Sequence, residues 1–220
     1  MDYARKIAEA ALERGAVTIN PTVPYEWASG YFMPIYSDFR KLLRKPEHRK
    51  LVDDALVQLI EENKIKPEVI AGTVTAGVPF ARGLADKLDL PLIYVRNTKK
   101  EYGLQNAVEG ILYPGEMVLV VEELMSTGNS SFTAVQNVRY AGGVCNWCVS
   151  IFSYGFDEAV KIFKEGDCKT ASALYFEKLV ETALDVRKID EKQLAVLREW
   201  RSDPFNWGAK HGFPKVEKKK

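Results

Sequence analysis

The stretch VLVVEELMSTGNSS, residues 118–131, joins a strand pattern to a turn of small polar residues. Its first four residues are apolar, and two adjacent carboxylates, Glu122 and Glu123, stand where the apolar run stops. A Ser-Thr-Gly-Asn-Ser turn comes next and leads into the helical pattern of residues 130–143. This order of strand, small-residue turn and helix is typical of α/β folds that bind ligands at the carboxyl ends of their strands.

Strand and helix patterns alternate on both sides of this stretch as well. EVIAG, LIYVR and VCNWCVSIF are short apolar runs, whereas FARGLADKL has the period of a helix. The alternation predicts βαβ units, and therefore an α/β fold with a central, mainly parallel sheet flanked by helices. Two helices are predicted before the sheet, in RKIAEAALERG and PEHRKLVDDALVQLIEEN, and C-terminal helices over about residues 172–203.

The composition is that of one globular domain covering residues 1–220, with 46% hydrophobic and 28% charged residues. A net charge of +1 gives no electrostatic reason to expect nucleic acid or a membrane as partner. No apolar run approaches the roughly 18 residues of a membrane-spanning helix, and the N-terminus is amphipathic rather than a signal peptide. We therefore expect a cytoplasmic protein whose three cysteines are reduced and structural.

The N-terminal region differs in composition from the rest of the chain. Residues 21–40, PTVPYEWASGYFMPIYSDFR, are rich in proline and aromatic residues and follow no clean period. We expect about residues 1–40 to contribute a small hood subdomain that covers an edge of the sheet. At the other end, residues 203–220 end in three lysines, and we expect this basic tail to fray.

Two loops in the predicted sheet are suited to binding phosphate. GTVTAG, residues 72–77, follows one strand, and STGNSS, residues 126–131, follows another. Small residues allow backbone N–H groups to point inward, and the helix that follows each loop adds its positive dipole end. Each loop alone is explained equally well as an N-capped turn between strand and helix. The adjacent carboxylates favour a binding site, because ribose hydroxyls and hydrated Mg²⁺ both require such acceptors beside a phosphate.

These segments resemble a known family. VLVVEELMSTGNSS resembles the phosphoribosyl pyrophosphate (PRPP) signature of the type I phosphoribosyltransferases. GTVTAG, YVRNTKKEYGLQNAVEG and WASGYFMPIYSDFR resemble, in order and spacing, segments of the orotate branch of that family. The resemblance extends over nearly the entire chain and implies a type I phosphoribosyltransferase-like fold with a hood. It also implies Mg²⁺ as cofactor, PRPP and orotate as substrates, and a homodimer whose lid loop is shared across the interface.

The resemblance also assigns roles to individual residues. It implies that Lys100, Arg96, Tyr102 and Glu123 are catalytic, and that Phe32, Tyr36 and Ser126 contact the base. Mg²⁺ would be held through PRPP and water, with Glu122 and Glu123 as its candidate protein ligands. The residues implied to bind PRPP are Glu122, Glu123, Ser126, Thr127, Gly128, Asn129, Ser130, Thr73, Thr75, Ala76, Gly77, Arg96, Lys99 and Lys100.

The lid implied by the resemblance covers residues 97–105. The surrounding sequence is polar, has no apolar period and is flanked by LIYV and VEGIL, as a closing loop requires. A solvated charged loop is the alternative. Tyr102 stands where the family usually carries histidine, and Asn97 and Thr98 stand where basic residues are common, so this lid carries less positive charge than the family's.

Phe32 is the departure that bears most on the substrate. The family typically places a lysine there, near the base and the pyrophosphate, whereas Phe32 offers an aromatic face or fills the hood core. The resemblance implies orotate phosphoribosyltransferase activity in pyrimidine synthesis, and Phe32 puts the choice of base in question. Two alternatives stay open: a transferase of the same fold that acts on another base, and a PRPP- or nucleotide-sensing protein that has lost catalysis.

Overall fold

The computed structural model describes residues 1–97 and 107–217. The strands are β1 (Val17–Ile19), β2 (Tyr25–Glu26), β3 (Phe32–Met33), β4 (Ile35–Ser37), β5 (Val69–Thr73), β6 (Leu92–Val95), β7 (Val108–Glu109), β8 (Met117–Met125), β9 (Val144–Ser153) and β10 (Lys169–Tyr175). The helices are α1 (Tyr3–Glu13), α2 (Pro46–Glu62), α3 (Val78–Leu88), α4 (Asn129–Tyr140), α5 (Asp157–Glu165), α6 (Phe176–Asp185), α7 (Glu191–Ser202) and α8 (Pro204–Lys210), with a 3₁₀ helix at Phe39–Arg44.

The centre of the fold is a six-stranded sheet in the order β10-β9-β8-β5-β6-β7. Strands β10, β9, β8, β5 and β6 are parallel, and β7 pairs antiparallel with β6 at one edge. The predicted mainly parallel sheet is therefore confirmed. Every residue of β5 is buried, because helices cover both faces of the sheet.

The two faces of the sheet lie against different helices. On one face, Val118 and Val120 of β8 pack with α4 and α5, in a cluster that includes Ala134 and Phe163. On the other face, Leu119 and Val121 belong to the larger cluster formed with α1, α2, α3, α6 and α7. Because side chains alternate along a strand, successive residues of β8 point to opposite faces of the sheet, and both faces meet at the carboxyl end of β8.

The hood consists of two short antiparallel pairs, β1 with β4 and the hairpin of β2 with β3. Met33 and Ile35 are fully buried against the main core, so the hood is packed onto the domain. The predicted hood region is thus more regular than its sequence suggests, because short hairpins of mixed aromatic residues leave no clean period to detect.

Two sequence predictions at the C-terminal end require correction. The helices begin at Phe176 rather than at about residue 172, because residues 169–175 form β10 and pair with β9 from Lys169–Trp147 to Tyr175–Ser153. The tail does not fray before residue 217: α8 follows α7 directly, and the backbone N–H of Val216 donates to the carbonyl of Gly30. Tertiary contacts with the hood order this segment.

Cys145, Cys148 and Cys168 are buried free thiols, as predicted. Among residues 1–97 and 107–217, every helix is too short or too polar to cross a bilayer.

The contact between β5 and α3 gives a test of the fold. A Cβ at Gly72 would lie 2.8 Å from Val78 Cα and 2.9 Å from Ala81 Cβ. Gly72→Ala should therefore lower the free energy of unfolding by about 1–3 kcal/mol, because α3 must move off the sheet. Denaturant unfolding measures this loss. Lys192→Ala on exposed α7 should change it by less than about 0.5 kcal/mol, and an equal effect of both substitutions would contradict the packing.

Candidate active site

The candidate site lies where β5 and β8 end, and it contains the two loops predicted to bind phosphate. The 73–77 loop follows β5, and the 126–130 loop follows β8 and opens α4. A Cβ at Gly77 would lie 2.3 Å from Thr73 Oγ1 and 2.4 Å from the carbonyl oxygen of Val121. Only glycine allows the 73–77 loop to fold back this closely onto β5 and β8.

Glu122 lies between the two loops and is bonded to residues beside both. Its Oε1 accepts hydrogen bonds from Thr73 Oγ1 at 2.8 Å and from the backbone N–H of Glu123 at 2.9 Å. Its Oε2 accepts one from Ser131 Oγ, in the first turn of α4, at 3.2 Å. Burial raises the pKa of Glu122, and these three donors oppose that rise. The carboxylate therefore ties β5 to α4; its predicted contact with a sugar stays a prediction.

Glu123 points to the opposite face of β8, toward the hood. Its Oε1 accepts a hydrogen bond from the backbone N–H of Arg40 at 3.2 Å, at the start of the 3₁₀ helix. The Arg40 Nε lies 4.0 Å from Oε2 and also contacts Asp38 at 2.7 Å. Burial raises the pKa of Glu123 to about 7, with the Arg40 charge opposing and the Asp38 charge adding to the rise. Glu123 therefore titrates near neutral pH.

The 126–130 loop has the geometry of an anion site. Gly128 adopts φ +80°, and a Cβ there would lie 3.0 Å from Ala159 Cα, so glycine is required at this turn. No side chain caps the N-terminus of α4, which leaves its first-turn N–H groups directed at the loop. Asn129 Nδ2 donates to Thr127 Oγ1 at 3.1 Å, and the exposed Ser130 hydroxyl accepts a hydrogen bond from Asn97. The loop can hold a phosphate with backbone donors.

In the 73–77 loop, Thr73 is buried, and the peptide bond between Val74 and Thr75 is cis. Thr75 is exposed and Ala76 half-buried, so both residues lie at the protein surface.

The described ends of the predicted lid are anchored to the sheet. The backbone N–H of Arg96 donates to the carbonyl of Ala107 at 2.8 Å, and the Arg96 carbonyl accepts from Asn137 Nδ2 at 2.7 Å. The Arg96 side chain, predicted to be catalytic, is 3.2 Å from Glu109 Oε1 and 40% exposed. Of the other lid predictions, Lys99, Lys100 and Tyr102 lie outside the described residues.

A cavity of about 470 Å³ lies beside the 126–130 loop, between the hood and the end of β8. Two of the three residues predicted to contact a base, Tyr36 and Ser126, line it. Phe32 does not; its ring packs on Phe213 with centroids 5.9 Å apart. Phe32 is half-buried and packs against the C-terminal segment, so it belongs neither to the cavity lining nor to the buried core.

The sequence analysis missed two aromatic walls of this cavity, Trp27 and Tyr154, whose ring centroids are 5.3 Å apart. The Tyr154 hydroxyl donates to Ser37 Oγ at 2.8 Å, and burial raises the pKa of Tyr154. The signal for Tyr154 was available, because it directly follows β9 at the same end of the sheet as both loops. No lysine or arginine within residues 1–97 and 107–217 lines the cavity.

Comparison with known proteins yields consistent matches. A model of the phosphoribosyl transferase domain matches residues 39–145. The chain is 39% identical over 208 residues to an orotate phosphoribosyltransferase of Listeria innocua, covering 94% of this chain and 100% of that protein. It is 40% identical over 207 residues to one of Coxiella burnetii, covering 94% and 99%. The solved orotate phosphoribosyltransferase of Mycobacterium tuberculosis in complex with PRPP is 25% identical, with a TM-score of 0.62, covering 82% of this chain and 99% of that one. These matches confirm the predicted fold.

The raised pKa of Glu123 gives a test of the site's electrostatics. With a folded pKa of about 7 against a reference of 4.5, this group's contribution to stability is complete below pH 4.5 and is lost as pH rises through 7. Glu123→Gln removes the titration. The unfolding free energy of the variant minus that of the wild type should therefore increase by up to about 3 kcal/mol between pH 4.5 and 8. Denaturant unfolding at several pH values measures it, and a constant difference would contradict the assignment.

Proposed function

We infer the function of this chain from one premise: it belongs to the orotate phosphoribosyltransferase family. We propose that it transfers the 5-phosphoribosyl group of PRPP to orotate and releases orotidine 5′-phosphate and pyrophosphate, a step of pyrimidine synthesis. One observation carries the proposal: Glu122 joins Thr73 and Ser131, so two loops suited to binding anions lie side by side at the end of one sheet. PRPP has a phosphate at one end and a pyrophosphate at the other, as such a pair of loops requires.

The proposed roles follow from the charges of the reaction. Breaking the bond between ribose C1 and pyrophosphate builds positive charge on the sugar and negative charge on the leaving group. The 126–130 loop and the N-terminus of α4 would hold the 5′-phosphate, and the 73–77 loop the pyrophosphate. Glu123, whose carboxyl group lies between the end of β8 and the hood, would bind the ribose hydroxyls when ionised. Glu122 keeps the two loops at a fixed separation.

Mg²⁺ fits this site as an ion carried by the substrate. Within residues 1–97 and 107–217, no group of three or more His, Cys, Asp or Glu side chains could hold a metal. Glu122 already accepts three hydrogen bonds from the protein, which leaves Glu123 as the better candidate ligand. PRPP oxygens and water would supply the remaining ligands, and the ion would neutralise the pyrophosphate.

The proposal extends to residues outside the described part of the chain. Lys100, with Lys99 and Arg96, would bring positive charge to the departing pyrophosphate, and Tyr102 would donate a hydrogen bond. The protein would act in the cytoplasm as a homodimer, with residues 97–105 of each chain closing over the partner's site. A lid shared in this way makes the dimer necessary for activity.

The base would occupy the cavity lined by Trp27, Tyr36, Tyr154 and Ser126. Its aromatic walls suit a planar heterocycle. A specific observation favours a second candidate, a transferase for another base: the cavity has no cationic side chain among the described residues, and Phe32 packs on Phe213 instead of facing the base. An uncharged base would need no such cation.

Pyrophosphate release from PRPP and Mg²⁺ distinguishes these candidates. We expect release with orotate and less than about one hundredth of that rate with uracil or purine bases at equal concentration, the discrimination available where a polar group of the substrate is recognised. Release with another base alone would keep the mechanism and change the substrate. PRPP binding, measured by calorimetry, without release for any base would indicate a sensor.

The lid assignment is tested by Lys100→Ala. Loss of a charge-assisted contact of about 1.5–3 kcal/mol should lower kcat roughly ten- to a hundredfold while the Kd of PRPP changes less than about threefold. Lys192→Ala on the exposed side of α7 is the control for loss of a remote charge. Equal, modest effects of Lys100→Ala on kcat and on PRPP binding would argue against a role in the transition state.

A further inference from the structure

We propose that the C-terminal segment, residues 200–217, positions the residues that line the base cavity. It packs against the turn between β2 and β3 and against the side of the aromatic walls that faces away from the cavity. Its loss should therefore weaken base binding and spare PRPP binding. The inference rests on the proposed function, because that function assigns the cavity to the base. None of residues 200–217 lines the cavity, so the segment would act through other residues.

The first support is a backbone contact with the hood turn. Ala28 and Ser29, which line the cavity, lie in the turn between β2 and β3. The next residue, Gly30, accepts a hydrogen bond from the backbone N–H of Val216 at 2.9 Å. Gly30 has φ +82°, and a Cβ there would lie 2.1 Å from the carbonyl oxygen of Val216. The turn and the tail can approach this closely only because residue 30 is glycine.

The second support is the packing of α8 and the tail against β3. A Cβ at Gly208 of α8 would lie 2.9 Å from the carbonyl oxygen of Phe32 and 2.8 Å from that of Phe213. The Phe32 and Phe213 rings pack 5.9 Å apart. Lys215 Nζ lies 4.5 Å from the centroid of the Tyr31 ring. The position where the family typically has a lysine is therefore occupied here by a residue that holds the tail.

The third support is the packing of Trp200 and Arg201 against the aromatic walls, on the side away from the cavity. The Trp200 ring lies 6.2 Å from that of Trp27 and 5.5 Å from that of Tyr154. Arg201 Nε donates to the carbonyl of Tyr154 at 2.6 Å, and its Nη2 donates to the carbonyl of Gly155. A guanidinium that binds two successive carbonyls fixes the backbone on which the Tyr154 wall stands.

The segment has no comparable contact with the phosphate loops. In the part of the chain that the structure describes, no hydrogen bond or ion pair joins residues 200–217 to residues 73–77 or 126–130. Its contacts with functional parts of the site are all on the base side. Loss of the segment should therefore affect the two substrates unequally, which a general loss of stability would not do.

A truncation after Gly212 tests the proposal, with a truncation after Glu217 as its matched control. The control removes only the three terminal lysines and keeps Phe213, Lys215 and Val216. We expect the KM of orotate to rise at least about fivefold in the shorter chain, the factor that corresponds to one lost hydrogen bond. The KM of PRPP should stay within twofold, and the control should match the wild type. An unchanged orotate KM, or an equal rise in both constants, would overturn the proposal.

The single contact at Val216 can be tested without truncation. Val216→Pro removes the N–H that binds Gly30, whereas Val216→Ala keeps it and trims a partly exposed side chain. Only the proline variant should raise the KM of orotate and speed hydrogen exchange of the amides of residues 27–33. The exchange measurement needs no turnover: an inactive wild type would count against the proposed function, while unchanged exchange in both Val216→Pro and the shorter chain would overturn this inference.

Discussion

The buried carboxylate of Glu122 is the constraint on which the site depends. A carboxylate removed from water is costly unless its oxygens receive hydrogen bonds, and here Thr73, Ser131 and the Glu123 amide supply them. Thr73 ends β5, and Ser131 lies in the first turn of α4, so satisfying one side chain fixes the separation of two loops. If the two loops bind the phosphate groups of PRPP as proposed, their positions are fixed before the ligand binds, which is the preorganisation that electrostatic catalysis requires.

The alternation of side chains along β8 distributes the two glutamates between different parts of the molecule. Glu122 joins the face covered by α4, and Glu123 joins the face that meets the hood at Arg40. Their adjacency in sequence is what allows one strand end to connect the phosphate loops with the hood. The two carboxyls also differ in their partners: Glu122 accepts three hydrogen bonds from the protein, whereas Glu123 faces the charges of Arg40 and Asp38 and has its pKa raised by burial to about 7.

Much of this arrangement could be predicted from the sequence, and the exceptions share a physical cause. The parallel sheet and both small-residue loops follow from local signals: an apolar run, a turn rich in glycine and serine, and a helical period. The start of the C-terminal helices, the order of the tail and the role of Phe32 depend on distant partners. Nothing in the sequence around Gly208 or Gly30 indicates that these glycines lie against the backbones of Phe32 and Val216. Only the fold brings the two segments together.

The same reasoning shows where selection of an anionic base must originate. Two arginines near residues of the cavity already have partners: Arg40 Nε contacts Asp38 at 2.7 Å, and Arg201 binds the carbonyls of Tyr154 and Gly155. Trp27, Tyr36 and Tyr154 give the cavity aromatic walls, which suit flat rings of many kinds. Under the proposed function, preference for a carboxylate over a neutral base would have to come from backbone N–H groups, from the lysines within residues 97–105 or from Mg²⁺ bound to PRPP. On that proposal, substrate choice would depend on groups that bind together with PRPP, whereas the separation of the two loops is fixed by the sheet through Glu122.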